Sequence, residues 1–157
     1  MLKILAKKDL KEVVRTLVLG VFVFSLLGTG AELILLEHFE DVWMWIPLAL
    51  MGASILLLVV YGITKTRWSV QAFQWLMVLF VLAGFVGVWL HFKGNMEFEL
   101  EMYPDIEGFK LLWETLKGAT PALAPGTMTQ LGLLGLIYTF KHPRLSSNSN
   151  TTNKTEK

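Results

Sequence analysis

Residues 16–36 read TLVLGVFVFSLLGTGAELILL, an apolar run in which Glu32 is the only charged side chain. A helix needs about 20 mainly apolar residues to cross the hydrocarbon core of a bilayer. Three more runs of similar length follow, at residues 43–63, 70–90 and 121–140. The sequence therefore predicts an all-α integral membrane protein with four transmembrane helices.

The composition agrees with a membrane protein. Of the 157 residues, 54% are hydrophobic and 17% are charged, a balance too apolar for an ordinary soluble domain. We predict one transmembrane domain over residues 1–144 and a polar tail over residues 145–157 that is disordered by composition. The chain contains no Cys, which excludes disulfides, thiolate metal sites and cysteine nucleophiles.

The connections between the four runs alternate in charge. Of the 14 Lys and Arg residues, 11 fall before the first run, between the second and third, or after the fourth. Nine of the 13 carboxylates fall in the other two connections. Because basic residues resist translocation, this asymmetry predicts a multi-pass protein of the plasma (inner) membrane with both termini cytoplasmic. A cleaved signal peptide ending near residues 28–31 is the alternative, but the apolar run continues past that point.

The outer connection before the fourth run carries two local patterns. Residues 96–102 alternate strictly between apolar and acidic side chains, which predicts a short extended segment at the membrane interface. Asp105 then offers a helix cap, and apolar residues recur at helical spacing at positions 106, 109, 112, 113 and 116 until Gly118. We predict an amphipathic helix lying on the outer face of the membrane.

The fourth run has an irregular beginning. Thr120 and Pro121 suit the cap and the first position of a helix, while Pro125 one turn later distorts it. A disrupted helix start with outward-pointing N–H groups is an arrangement that transporters use to bind ions and small anions.

Glu32 is the centre of the predicted binding site. Ser25, Gly28, Thr29 and Glu32 fall on one face of the first helix, at positions i, i+3, i+4 and i+7. A carboxyl group inside a bilayer costs about 2.5 to 3.5 kcal/mol on insertion scales, so it usually faces protein or a water-filled cavity. We predict that Thr127 and Gln130 of the fourth helix share this site. A purely structural role, with a neutral Glu32 holding helices together, remains open.

Two histidines lie toward the same outer end of the predicted bundle. His38 follows the first helix, and His91 ends a stripe on the third helix. We predict that both belong to the ligand- or ion-binding site around Glu32. Together with Glu37 they are also candidates for metal or haem ligation, although no ligand spacing matches a known signature. No phosphate-binding loop, dinucleotide fingerprint or hydrolase motif is present, and no cofactor is evident.

These patterns favour binding rather than catalysis and give no support for nucleic-acid recognition. The first functional hypothesis is an outward-facing polar pocket around a buried carboxylate, Glu32, which binds or transports a proton, a cation or a small polar ligand. The second is a structural or accessory subunit of a larger membrane complex, or a homo-oligomer, docked through small-residue helix faces. The third is a membrane redox protein with haem or metal bound by His38 and His91.

Overall fold

The computed structural model describes residues 9–146, and regular structure within that range is entirely helical. The helices are α1 (Leu10–Leu35), α2 (Val42–Thr64), α3 (Arg67–Met102), α4 (Gly108–Lys117), α5 (Gly126–Thr139) and α6 (Pro143–Ser146). The prediction of an all-α protein is confirmed. Residues 147–157, which make up nearly all of the predicted polar tail, lie outside the described range.

Three of the helices are long and apolar enough to cross a membrane, namely α1 with 26 residues, α2 with 23 and α3 with 36. Each begins where a side-chain oxygen accepts a hydrogen bond from a backbone N–H in the first turn. The capping residues are Asp9, Asp41 and Thr66. The fourth predicted span is shorter, because α5 has only 14 residues and a length of about 21 Å.

Contacts at two ends show how α1, α2, α3 and α5 run relative to one another. At one end, Arg15 donates to the Tyr138 carbonyl and the Tyr61 hydroxyl lies 3.2 Å from a ring nitrogen of His142. At the other end, the His38 and His91 rings lie 6.4 Å apart. The chain therefore passes up α1, down α2, up α3 and down α5.

A single apolar core joins these four helices. Its buried members are Phe22, Leu26, Met51, Phe73, Met77, Phe80, Met128, Leu131 and Tyr138. Helix α5 packs closely on α3 because glycines leave room for the backbones to approach. A Cβ added at Gly132 would lie 2.7 Å from the Met77 carbonyl oxygen, closer than real side chains come.

The predicted extended segment at residues 96–102 is wrong, since α3 continues without a break to Met102. Met, Glu and Leu are good helix formers, and an ongoing helix needs no new nucleus to extend through them. Lys93 and Glu97 form an i,i+4 ion pair at 3.4 Å that suits this conformation. The helix ends only at Tyr103, which precedes Pro104 and is thereby disfavoured in helical geometry.

The two predicted helix starts in the outer segment also differ from the structure. Helix α4 begins after Glu107 rather than Asp105, with no side-chain capping bond, and it ends at Gly118 as predicted. Helix α5 begins at Gly126 instead of Pro121. The residues from Pro121 to Pro125 form turns, in which backbone N–H groups donate to carbonyls three residues earlier.

Candidate functional site

The predicted polar residues of the first and fourth runs line one groove of about 310 Å³ between α1 and α5. Five of its lining side chains are polar, namely Ser25, Thr29, Glu32, Thr127 and Gln130. The remaining lining residues are Phe24, Gly28, Leu131 and Leu134. The groove opens to one side of the bundle.

Helical spacing explains why these residues meet. On α1, Ser25, Thr29 and Glu32 share one face, while Leu26 turns into the core. On α5, Thr127, Gln130, Leu131 and Leu134 fall at i, i+3, i+4 and i+7 and so face the same groove. Because α1 and α5 run antiparallel, the polar ends of both stripes lie together.

The polar side chains of the groove have no hydrogen-bond partner within residues 9–146. Several hydroxyl groups elsewhere in the helices bond back to their own backbone: Thr16 to the Glu12 carbonyl at 2.8 Å, for example, and Ser54 to the Met51 carbonyl at 2.8 Å. The Thr115 hydroxyl of α4, which is buried, has no partner in residues 9–146. The hydroxyl groups of Ser25, Thr29 and Thr127 in the groove form no such bond either. Unpaired polar groups at membrane depth are costly, so these groups need water, an ion or another polar partner.

The electrostatics of the groove favour a positive ligand. Glu32 is the only charged residue among those that line it. The prediction that this carboxylate is buried is wrong, because the groove is open and leaves Glu32 exposed. The N–H groups at the start of α5, predicted to point outward as free donors, are engaged. Gly126, Thr127 and Met128 donate to the carbonyls of residues 123, 124 and 125 at 2.9–3.0 Å. The site therefore offers oxygen atoms from a carboxylate, three hydroxyls and an amide, without a backbone cradle for an anion.

His38 and His91 meet at the same end of the bundle but do not line the groove. A ring nitrogen of His91 lies 3.3 Å from the Pro121 carbonyl oxygen. Burial, and then the charge of His91, lower the pKa of His38 below its ordinary value of 6.5. Within residues 9–146 no group of three His, Cys, Asp or Glu side chains is placed to hold a metal ion, so Glu37 does not complete a site with these histidines.

Two further features escaped the sequence-based prediction. Asn95, which is buried, connects the C-terminal part of α3 to α4 and the segment after it. A second cavity of about 280 Å³ lies at the opposite end of the bundle, where Arg15 meets the end of α5. Both features depend on contacts between residues far apart in sequence. The sequence offered a hint only for the second cavity, in the concentration of basic residues at its end of the structure.

Comparison of the chain with protein-family models, with curated proteins and with solved structures found no match. The functional argument therefore rests on the chemistry of the residues themselves.

Proposed function

We propose that this protein is a small multi-pass membrane protein that binds a proton or a monovalent cation at Glu32, in the service of transport or sensing. The observation that carries the proposal is the groove itself. It gathers one carboxylate and four uncharged polar side chains between α1 and α5, and none of the five has a hydrogen-bond partner in residues 9–146.

The composition of the groove favours a monovalent cation. Carboxylate, hydroxyl and amide oxygens are the ligands that hard cations prefer. A single carboxylate neutralises a single positive charge, and an uncompensated second charge would be costly in a low-dielectric setting. A bound proton satisfies the same condition, because it leaves Glu32 neutral and able to donate a hydrogen bond.

We further propose four membrane crossings, with both ends of the described chain on the cytoplasmic side of a plasma membrane. Support comes from the alternating directions of α1, α2, α3 and α5 and from the basic residues at the shared end of Arg15 and His142. Helix α5 is short, and the turns at residues 121–125 provide the remaining length.

An accessory role is the second candidate, favoured by apolar surface outside the bundle. The rings of Phe109 and Trp113 stack on the exposed side of α4, with 77% and 51% of these residues accessible. On α1, Phe24 is 81% exposed beside Gly28, where an added Cβ would meet open space. Such faces suit docking to another membrane protein or to a second copy.

Thermal unfolding in neutral detergent tests the proposed function. Sodium and potassium chloride are compared with N-methylglucamine chloride at equal ionic strength and across mildly acidic to neutral pH. A ligand present at a hundred times its dissociation constant stabilises the native state by about 2.7 kcal/mol. Glu32→Gln should abolish the dependence on cation and pH, while Glu40→Gln, which removes an exposed carboxylate outside the groove, should retain it.

Glu32→Leu separates binding from structural support. If Glu32 only holds helices together, the Gln variant preserves shape and hydrogen bonding and only the Leu variant loses stability. A Gln variant that keeps the full cation and pH response would contradict the proposed function and favour the accessory role.

A further inference from the structure

The cavity at the Arg15 end of the bundle is separate from the Glu32 groove and has the opposite charge. Its volume of about 280 Å³ is near the lower end of the range for small-ligand pockets. The lining residues are Glu12, Arg15, Thr16, Leu19, Tyr61, Tyr138, His142, Pro143 and Arg144. With His142 neutral, two guanidinium groups and one carboxylate leave the lining with a net positive charge.

Arg15 is held rigidly in this cavity. Its Nε donates to the Tyr138 carbonyl at 3.2 Å, and its Nη2 donates to the carbonyls of Phe140 and Lys141 at 3.4 and 3.2 Å. These carbonyls belong to the last turn of α5 and the two residues after it, where a positive charge also complements the helix dipole. Nη1 has no hydrogen-bond partner in residues 9–146, and Arg15 forms no ion pair there.

The rest of the cavity wall contains His142, whose hydrogen bonds are those of a neutral imidazole. The Arg144 backbone N–H donates to Nδ1 of His142 at 3.3 Å, so the other ring nitrogen carries the proton and faces the Tyr61 hydroxyl at 3.2 Å. Burial, and then Arg15 and Arg144, lower the pKa of His142. The lining therefore offers an anionic ligand the guanidinium groups of Arg15 and Arg144 beside two tyrosines, with Glu12 as its one carboxylate.

We propose that this cavity binds an anionic phosphate group, with Arg15 and Arg144 as its positively charged contacts. Three carbonyls orient Arg15 through its Nε and Nη2, which leaves Nη1 to donate to a phosphate oxygen with little further ordering on binding. The phosphate group that occupies this cavity can come from the headgroup of an anionic phospholipid or from free phosphate. Basic side chains near a membrane surface attract such lipids by about 1 kcal/mol each.

The test uses the purified protein in neutral detergent with phosphatidylglycerol, phosphatidylcholine or inorganic phosphate added, chloride replacing phosphate as the ionic-strength control. Thermal unfolding gives the apparent affinity in each case. We expect phosphatidylglycerol to stabilise the wild type more than phosphatidylcholine does. Arg144→Gln should weaken that affinity about fivefold. Arg67→Gln removes a basic residue from the same end without touching the cavity and should leave the affinity unchanged.

Each outcome bears on the proposal. Stabilisation by phosphatidylglycerol alone identifies the lipid headgroup, and stabilisation by inorganic phosphate as well identifies the phosphate group itself. Equal effects of phosphatidylglycerol and phosphatidylcholine, together with no response to phosphate, would overturn it. So would equal losses in Arg144→Gln and Arg67→Gln, since general surface charge then explains the binding. Arg144→Gln is used because Arg15→Gln also removes the bonds that hold the end of α5.

Discussion

Asn95 of α3 connects to the segment over residues 103–120 through four hydrogen bonds, and removing its side chain gives a well-defined prediction. Nδ2 of Asn95 donates to the Thr115 carbonyl at 3.0 Å and to the Thr120 carbonyl at 2.7 Å. Its Oδ1 accepts from the backbone N–H and the hydroxyl of Thr120, at 3.2 and 2.7 Å. Asn95 is only 3% exposed and uses every hydrogen atom of its amide group.

The change is Asn95→Ala, and its cost follows from these four bonds. Each contributes about 1 kcal/mol, and together they would contribute about 4 kcal/mol. Thr120 is exposed, so water replaces part of what its groups lose. We therefore expect local opening of residues 103–120 to become easier by about 2 to 3 kcal/mol, which corresponds to amide exchange faster by about 30- to 150-fold.

Hydrogen exchange followed by mass spectrometry measures this opening directly, over residues 103–120 in detergent. Gly94→Ala is the matched control, because it alters the neighbouring position of α3 where an added Cβ meets nothing within 4 Å. Exchange in α1 and α2 should be unchanged in both variants. If Asn95→Ala exchanges at the wild-type rate over residues 103–120, the four-bond connection does not hold the segment and the reasoning is wrong.

Three further predictions concern the bundle. Gly132→Ala should lower the unfolding temperature by an amount equivalent to about 1 to 3 kcal/mol, because the added Cβ would meet the α3 backbone. Gly62→Ala places its Cβ in open space and should not lower it. Equal effects of the two substitutions would contradict the close packing of α5 on α3. Because the pKa of His142 is lowered, its contribution to stability is complete above 6.5 and is lost as pH falls below it; His142→Gln should flatten this acid limb, and an unchanged limb would exclude it. A reporter active only in the cytoplasm should be active after Arg144 and inactive near Asp105, and the reverse pattern would overturn the orientation.

The sequence predicted the helices well where apolar length decided the structure. The runs at residues 16–36, 43–63 and 70–90 all lie almost entirely within long helices, because a helix satisfies the backbone groups of such an apolar segment within the segment itself. Helical spacing alone groups Ser25, Thr29 and Glu32 on one face of α1, and these three residues line the groove, whereas His38 and His91 do not.

The errors arose where local patterns compete with a neighbouring helix. Alternation over residues 96–102 is compatible with a strand, but α3 was already formed and extended through good helix formers. At the start of α5, two prolines produced turns whose hydrogen bonds occupy the predicted donors. Neither the Asn95 connection nor the Arg15 cavity was visible, because both join residues more than 20 positions apart.

Direct measurement of cation binding to Glu32 tests the central proposal most closely. Purified wild type, Glu32→Gln and Glu40→Gln are titrated with radiolabelled sodium in a scintillation proximity assay, with potassium and protons as competitors. The proposal predicts that sodium binds saturably to wild type and to Glu40→Gln and that protons compete with it. It predicts no such binding to Glu32→Gln, whose amide cannot ionise. Binding that persists unchanged in a folded Glu32→Gln variant, or no binding and no pH response in the wild type, would contradict it.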